Sequence, residues 1–131
     1  MQFQLATDYA LRILGYMHES EEKLSTAVSM SEKLGITYLY FMKIISRLKG
    51  AGLVKSVQGC NGGYSLCDDI EGVSVYDVVC IMEGGIYINR CLQPDSYCSR
   101  NATENCKVHD FFESLQNTIV ERLRGKKVCE L

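Results

Sequence analysis

The sequence predicts a mainly α-helical fold with a small β-hairpin, in which a winged helix-turn-helix is followed by a long C-terminal helix. Apolar residues recur at three- and four-residue spacing in five segments, as they do along one face of an amphipathic helix. A short alternating segment with a glycine-rich turn lies between the third and fourth of them. A chain of 131 residues buries one core of moderate size. We expect a winged helix-turn-helix over residues 1–83, a loop over 84–107 and a dimerisation helix with a tail over 108–131.

Two amphipathic helices are predicted at the start of the chain. The first covers Thr7 to Glu19, with Thr7 or Asp8 as its N-terminal cap. The second is short; it follows the capping candidates Ser25–Thr26 and ends at Gly35, because glycine readily adopts the left-handed conformation that terminates helices. The apolar faces consist of Ala10, Ile13, Leu14 and Met17 in the first helix and of Ala27, Met30 and Leu34 in the second.

A third helix and a hairpin follow. Thr37 is the capping candidate of this helix, and Gly50 ends its apolar pattern. Leu53 to Val57 alternates apolar with polar residues, Gly59 to Gly63 forms a turn, and Tyr64 to Leu66 returns as the second strand. A short helix, a tight turn and a longer basic helix constitute a helix-turn-helix, and the adjoining hairpin is its wing. The core face of the third helix consists of Phe41, Ile44, Ile45 and Leu48.

The rest of the chain predicts two helices joined by a long loop. Ser74 with Asp77 three residues later resembles a capping box, and Gly84–Gly85 ends the helix that it starts. From Ile86 to Asn105 the periodicity is lost and turn-forming residues appear. The last helix has an apolar seam typical of packing against a partner helix, so we expect a homodimer. The seam consists of Val108, Phe112, Leu115, Ile119 and Leu123.

The charges are distributed unevenly. The formal net charge of −2 argues weakly against a nucleic-acid partner, because phosphate binding depends on Lys and Arg. Residues 33–67, however, contain no Asp or Glu, so a protein that is acidic overall can present a cationic surface there. The basic residues of this stretch are Lys33, Lys43, Arg47, Lys49 and Lys55.

The sequence predicts a cytosolic protein with no membrane partner. No apolar run approaches the roughly 20 residues that span a bilayer, and the N-terminus lacks the basic flank and cleavage site of a signal peptide. The seven cysteines are an odd number in a chain without an export signal. Reduced thiols or metal ligands are therefore favoured over disulfides.

The polar face of the third helix predicts contacts with double-stranded DNA. Thr37 and Tyr38 lie near the helix N-terminus, where side chains reach base edges in the major groove. Lys43 and Arg47 lie further along and are suited to neutralising phosphates. The remaining candidates are Tyr40 on the same helix and Lys55, Gln58 and Asn61 on the wing.

Three cysteines in the loop predict a metal or redox site. Cys91, Cys98 and Cys106 lie in a polar segment, and His109 follows the last of them. Thiolates are the ligands that iron-sulfur clusters require. Zinc accepts three Cys and one His, although zinc sites usually contain a Cys-x-x-Cys pair that this loop lacks. On chemistry alone a cluster, a zinc ion and free or redox-active thiols all stay open.

Several stretches resemble the Rrf2 family of bacterial winged-helix transcription regulators, and in particular its iron-sulfur members of the IscR and NsrR type. They are YALRIL, KLGI, SRLKGAGLVKSVQGCNGGYSL and DVVCIMEG. The resemblance covers nearly the whole chain. It implies a homodimeric DNA-binding regulator, a repressor by expectation, whose operator binding responds to iron, oxygen or nitric oxide through a [2Fe-2S] or [4Fe-4S] cluster.

The resemblance also implies a ligand set. Cluster-binding members have three cysteines in this loop, which correspond to Cys91, Cys98 and Cys106. His109 resembles the histidine ligand of one type, and Asp8 resembles the aspartate that another type supplies from the partner subunit. The chain departs from relatives at Gln58, Cys60 and Met42, where Arg, Pro and Glu are common, and this puts the DNA sequence preference in doubt.

Three alternative functions compete with a cluster-controlled regulator. A winged-helix regulator with structural zinc, a thiol switch, and a cluster-free regulator controlled by a partner enzyme are the competing functions. No catalytic motif is present, so an enzyme is not expected.

The four cysteines outside the loop have other predicted locations. We expect Cys67 and Cys80 to pack in the core, Cys60 to be exposed at the wing tip, and Cys129 to lie in a frayed tail.

Overall fold

A computed structural model describes all residues from 1 to 131 and shows the predicted winged-helix architecture. Five α-helices and one two-stranded antiparallel sheet follow each other in the order α1-α2-α3-β1-β2-α4-α5. The helices are α1 (Leu5–Glu19), α2 (Ala27–Leu34), α3 (Tyr38–Gly50), α4 (Val75–Glu83) and α5 (Lys107–Arg124), and the strands are β1 (Val54–Val57) and β2 (Gly63–Leu66). Short 3-10 turns cover Ile70–Gly72, Arg90–Leu92, Thr103–Asn105 and Val128–Glu130.

The core lies between α1, α3 and α4. The predicted apolar faces of α1 and α3 are buried there, and Ile13, Leu14, Phe41 and Leu48 are among its fully buried side chains. Each such side chain stabilises the fold by about 1.5–3 kcal/mol when it leaves water. The core therefore fixes α3 against α1 and leaves the other side of α3 facing solvent.

Three predicted helix caps are present. The side chains of Thr26 and Thr37 accept hydrogen bonds from backbone N–H groups three residues on, as the first residues before α2 and α3 should. Ser74 and Asp77 form the reciprocal capping box of α4, with Ser74 N–H donating to the Asp77 carboxylate at 2.8 Å and Asp77 N–H donating to Ser74 Oγ at 3.2 Å. Gly35 ends α2 in the left-handed region, at φ 65°.

The predicted start of α1 is wrong. The helix begins at Leu5, and neither Thr7 nor Asp8 caps it. The backbone N–H of Gln4 donates to the Glu83 carboxylate at 2.7 Å, and the hydroxyl of the buried Thr7 donates to the same oxygen. The end of α4 therefore supplies the cap of α1, through a contact that no local sequence pattern reveals.

The wing consists of the two-stranded sheet and one additional β-bridge. Beyond the pairing of β1 with β2, Ser25 forms a β-bridge with Tyr64, in which both backbone N–H groups donate across at 3.0 and 2.8 Å. The turn between the strands requires glycine, because a Cβ on Gly62 would lie 2.1 Å from the carbonyl oxygen of Val57. The bridge ties the wing to the start of α2.

The predicted fraying of the C-terminal tail is also wrong. Val128 is completely buried, and its N–H donates to the carbonyl of Val73 at 3.0 Å. The N–H of Val75 donates to Lys126 O at 2.8 Å, and Lys127 Nζ donates to Gly72 O at 2.9 Å. The tail returns to the core because an apolar side chain follows the end of α5. Cys129 is consequently half-buried rather than free in solvent.

Helix α5 has no fully buried residue. Phe112, Ile119 and Leu123 of the predicted seam are half-buried. Val108 and Leu115 are exposed together with Phe111, whose exposure is 64%. One side of this helix therefore presents apolar surface to solvent. No helix in the chain combines the length and the hydropathy needed to cross a membrane.

Candidate DNA-reading surface and cysteine loop

The side of α3 opposite the core is fully accessible. Leu39, Lys43 and Ser46 lie along it at positions i, i+4 and i+7, so they share one face, and all three are exposed. We call these residues the outer face of α3. Sequence reasoning missed Leu39, although its spacing to Lys43 could have identified it.

The predicted DNA-contacting residues of α3 divide into two groups. Thr37, Tyr38 and Lys43 are exposed, although the Thr37 hydroxyl also caps the helix. Tyr40 is half-buried, with its ring edge-on to that of Tyr9 at a centroid distance of 5.7 Å. The structure therefore leaves Tyr38 and Lys43 accessible and packs Tyr40 against α1.

Arg47 has a structural contact that the sequence did not predict. Its guanidinium donates to the carbonyl oxygen of Ile81 at 2.7 Å, close to the end of α4. The carbonyl groups at the end of a helix carry partial negative charge, which a cation stabilises. Arg47 therefore connects α3 to the C-terminal turn of α4.

The wing carries its predicted polar residues at the surface. Lys55 on β1 forms an ion pair with Asp68 at 2.8 Å, and this hydrogen bond raises the pKa of Lys55. Gln58, Cys60 and Asn61 are exposed at the hairpin tip. The free thiol of Cys60 is therefore accessible, as predicted.

Cys91 and His109 meet, although 18 residues separate them. Cys91 lies within the 3-10 turn Arg90–Leu92, and His109 lies in the first turn of α5, with its Nδ1 3.3 Å from Cys91 Sγ. Asn89 Nδ2 donates to the same sulfur at 3.4 Å. Cys91 is half-buried, and two side-chain nitrogen atoms lie within hydrogen-bond distance of its sulfur.

Backbone N–H groups near Cys98 lower the pKa of its thiol. The largest contributions come from the N–H groups of Ala102 and Arg100, with a smaller one from that of Asn101. The Asn101 N–H itself donates to the carbonyl oxygen of Cys98 at 3.1 Å, and Asn101 adopts the left-handed region at φ 49°. The lowered pKa favours the thiolate form of Cys98.

The loop donors are not gathered into one site. No group of three or more His, Cys, Asp and Glu side chains lies close enough together to hold a metal ion. Cys106 is half-buried at the cap of α5, and Asp8 forms an ion pair with Arg12 at 2.8 Å on α1. Three thiols and an imidazole nevertheless constitute a donor set of the kind that iron-sulfur clusters accept.

A small ionic cluster holds the loop between the first two cysteines. The Arg90 guanidinium binds both carboxylate oxygens of Asp95, at 2.5 and 2.6 Å, and stacks over the ring of Tyr97 at 5.0 Å. The pairing lowers the pKa of Asp95 to about 2. Sequence reasoning missed this cluster, because residues five apart in an irregular segment follow no helical or strand period.

Comparison with known proteins gives one family and several similar folds. The Rrf2 family, described as an iron-dependent transcriptional regulator, matches residues 3–131. Protein aau3 of Rhizobium meliloti (strain 1021) is 31% identical over 130 residues, covering 94% of this chain and 84% of that protein. T. potens IscR has a TM-score of 0.75 at 21% identity, covering 99% of this chain and 85% of its own. CymR (YrzC), the global cysteine regulator of B. subtilis, has a TM-score of 0.75 at 17% identity, covering 99% and 95%.

Proposed function

The chain belongs to the Rrf2 family of iron-dependent transcriptional regulators, and on that premise we propose that it is a homodimeric repressor controlled by an iron-sulfur cluster. It is a transcriptional regulator and not an enzyme. In this proposal α3 and the wing bind an operator, and Cys91, Cys98 and Cys106 hold the cluster. The contact between Cys91 and His109 carries the proposal, because it joins a thiol and an imidazole from two distant parts of the chain.

The chemistry of the loop supports a cluster. Each of the three thiols is half-buried, so each is reachable by iron while partly shielded from bulk solvent. The backbone donors around Cys98 favour the thiolate form that metal binding needs. When bound, such a cluster supplies reactivity toward oxygen and nitric oxide and dependence on iron supply.

His109 is the favoured fourth ligand. It already lies against Cys91, and it belongs to the helix that Cys106 caps. Asp8 of the partner subunit is the competing candidate. Asp8 is engaged with Arg12 on the same helix, so serving as a ligand would require it to leave that ion pair. We expect His109→Ala to leave a cluster that forms but is lost faster to oxygen or chelator.

Two contacts connect the loop to the DNA-reading helix. Glu83, the last residue of α4 before the loop, accepts a hydrogen bond from the Gln4 N–H at the start of α1. The Arg47 guanidinium of α3 donates a hydrogen bond to the carbonyl oxygen of Ile81 in the last turn of α4. A change in the loop that moves the end of α4 would therefore shift α3 relative to α1. In a dimer that must meet two successive major grooves, such a shift changes operator affinity.

The homodimer is proposed on the exposed side of α5. Val108, Phe111 and Leu115 lie within two turns of one another and are 40–64% exposed, an apolar surface that a second α5 would cover. Replacing Phe111 and Leu115 by Asp should produce a monomer with weaker DNA binding in sedimentation and binding assays. Glu113→Lys in the same helix is the matched control. A double variant that remains dimeric at tens of micromolar would refute this interface.

The central experiment is purification without oxygen, followed by visible absorption and by iron and sulfide analysis. We expect a brown protein with broad absorption at about 400 nm, as iron-thiolate clusters show. Cys91→Ala, Cys98→Ala and Cys106→Ala should each abolish the absorption, whereas Cys60→Ala should retain it. Colourless protein with stoichiometric zinc would refute the cluster and indicate structural zinc.

A cluster-free thiol regulator is the second candidate. The lowered pKa of Cys98 favours it, because thiolates react with peroxide faster than thiols do. The structural similarity to a cysteine regulator is compatible with it as well. Colourless, metal-free protein whose operator binding changes on peroxide treatment, and no longer does so in Cys98→Ala, would favour this candidate over the cluster.

A further inference from the structure

Leu39 is the most exposed large apolar side chain of the DNA-reading helix. It lies in the first turn of α3, at the start of the outer face, and 77% of its surface is accessible. Every other leucine or isoleucine of α3, namely Ile44, Ile45 and Leu48, is buried in the core. An exposed leucine gains almost no burial energy in the free protein, so its side chain is available to a partner that covers it.

The surroundings of Leu39 indicate what covers it. Lys43 follows one turn later on the same face, and residues 33–67 contain no carboxylate. An apolar protein partner would leave these cations uncompensated, whereas DNA supplies phosphates for them on either side of the groove. Charge complementarity therefore favours nucleic acid as the occupant of this face.

Leucine neither donates nor accepts hydrogen bonds, so it can recognise only an apolar group of a base. The major groove offers one such group, the C5-methyl of thymine. Placed over the other bases, Leu39 would remove water from their polar edges without replacing the lost hydrogen bonds. We propose that Leu39 determines specificity by contacting a thymine methyl in each half-site. This inference rests on the proposed operator binding by α3.

The test compares thymine with uracil, which has the same hydrogen-bonding edge and lacks only the methyl group. Preferred duplexes are first selected from random sequence with the full chain, both as purified without oxygen and after chelator treatment. Each thymine of the selected site is then replaced by deoxyuridine. We expect one thymine in each half-site at which replacement weakens binding about fourfold, the fold-change for one buried methyl-sized group.

Two variants isolate the contribution of Leu39. Leu39→Ala removes the side chain from an exposed position, so folding should be unaffected, and it should bind the thymine and uracil duplexes equally. Lys43→Ala is the matched control; it should weaken binding to both duplexes and keep their ratio. Retention of the fourfold ratio in Leu39→Ala, or a selected site without any methyl-dependent thymine, would overturn the inference while leaving operator binding intact.

Two further outcomes separate this inference from the proposed function. If the chain selects no sequence at all, operator binding fails and the inference fails with it. If Leu39→Ala alters the sedimentation of the free protein and not its base preference, Leu39 contacts a protein surface and the inference is overturned alone.

Discussion

The contact of Glu83 with the start of α1 gives a quantitative prediction. In Glu83→Ala the hydroxyl of Thr7 loses its acceptor, and because Thr7 is only 1% exposed, water cannot replace it. An orphaned buried hydroxyl costs about 1–3 kcal/mol. The N–H of Gln4 is at the surface and can hydrogen-bond to water instead. We therefore expect a loss of about 2 kcal/mol, or about 30-fold in the folding equilibrium.

Urea denaturation at one fixed protein concentration measures this loss, since the stability of the proposed dimer would depend on concentration. Glu113→Ala on exposed α5 is the matched control and should change stability by less than about 0.5 kcal/mol. The decisive comparison is a double-mutant cycle with Thr7→Val. In the wild-type background this change removes a hydrogen bond to a carboxylate, whereas in Glu83→Ala it removes an orphaned hydroxyl.

The cycle should show a coupling of about 1.5–3 kcal/mol between the two residues. Thr7→Val should be destabilising in the wild type and neutral or stabilising in Glu83→Ala. Equal effects of Thr7→Val in both backgrounds would refute the reasoning, because the two side chains would then act independently.

Three further predictions concern single contacts. Ser74→Ala should cost about 1 kcal/mol at pH 7. Because the Ser74 hydroxyl also donates to the Asp77 carboxylate and lowers its pKa below 3.8, that part of the cost is present above 3.8 and is lost as the pH falls through the lowered pKa. The hydrogen bond that Ser74 accepts from the Asp77 N–H does not titrate, so the cost should fall at low pH without vanishing; an equal cost at pH 2 in urea denaturation would contradict this. Lys43→Ala should lower the slope of log affinity against log salt by about one. Arg47→Ala should chiefly lower stability, by about 0.5–1 kcal/mol, because it removes a hydrogen bond to the Ile81 carbonyl that water at this exposed position partly replaces. Identical salt slopes and stabilities for the two variants would argue against the distinction. Val128→Ala should lower the free energy of unfolding by about 2 kcal/mol, because it removes two methyl groups from a fully buried site. An unchanged urea midpoint would show that the tail does not pack against the core.

The residues of the candidate site could be predicted from the sequence, but their arrangement could not. The cysteines of the loop stand out in sequence because thiols in a polar segment are unusual, and the family resemblance implies the ligand role that is proposed for them. The sequence could not reveal that Cys91 lies against His109, since the two are 18 positions apart and most of the chain between them is an irregular loop. It also could not reveal that the Arg47 guanidinium donates to a carbonyl of α4 in the free protein, because the charge of a side chain does not identify its nearest acceptor; the predicted phosphate contact of Arg47 stays a prediction.

The sequence by itself determined the fold class of this protein and most of its secondary structure, apart from the start of α1 and the C-terminal turn. The caps at Thr26, Thr37 and Ser74 are interactions between residues three apart, so their energies depend on local sequence only. The same holds for the helical periods of the core faces.

Only the tertiary structure decided how these elements are held together. Glu83 caps a helix that begins 78 residues earlier, and Val128 fills a core built largely by the first half of the chain. Such contacts arise after the chain has folded back on itself, and their partners are then set by packing geometry. Periodicity along the sequence predicts which side of a helix is buried. It does not predict which residues that side, or the end of the helix, will contact.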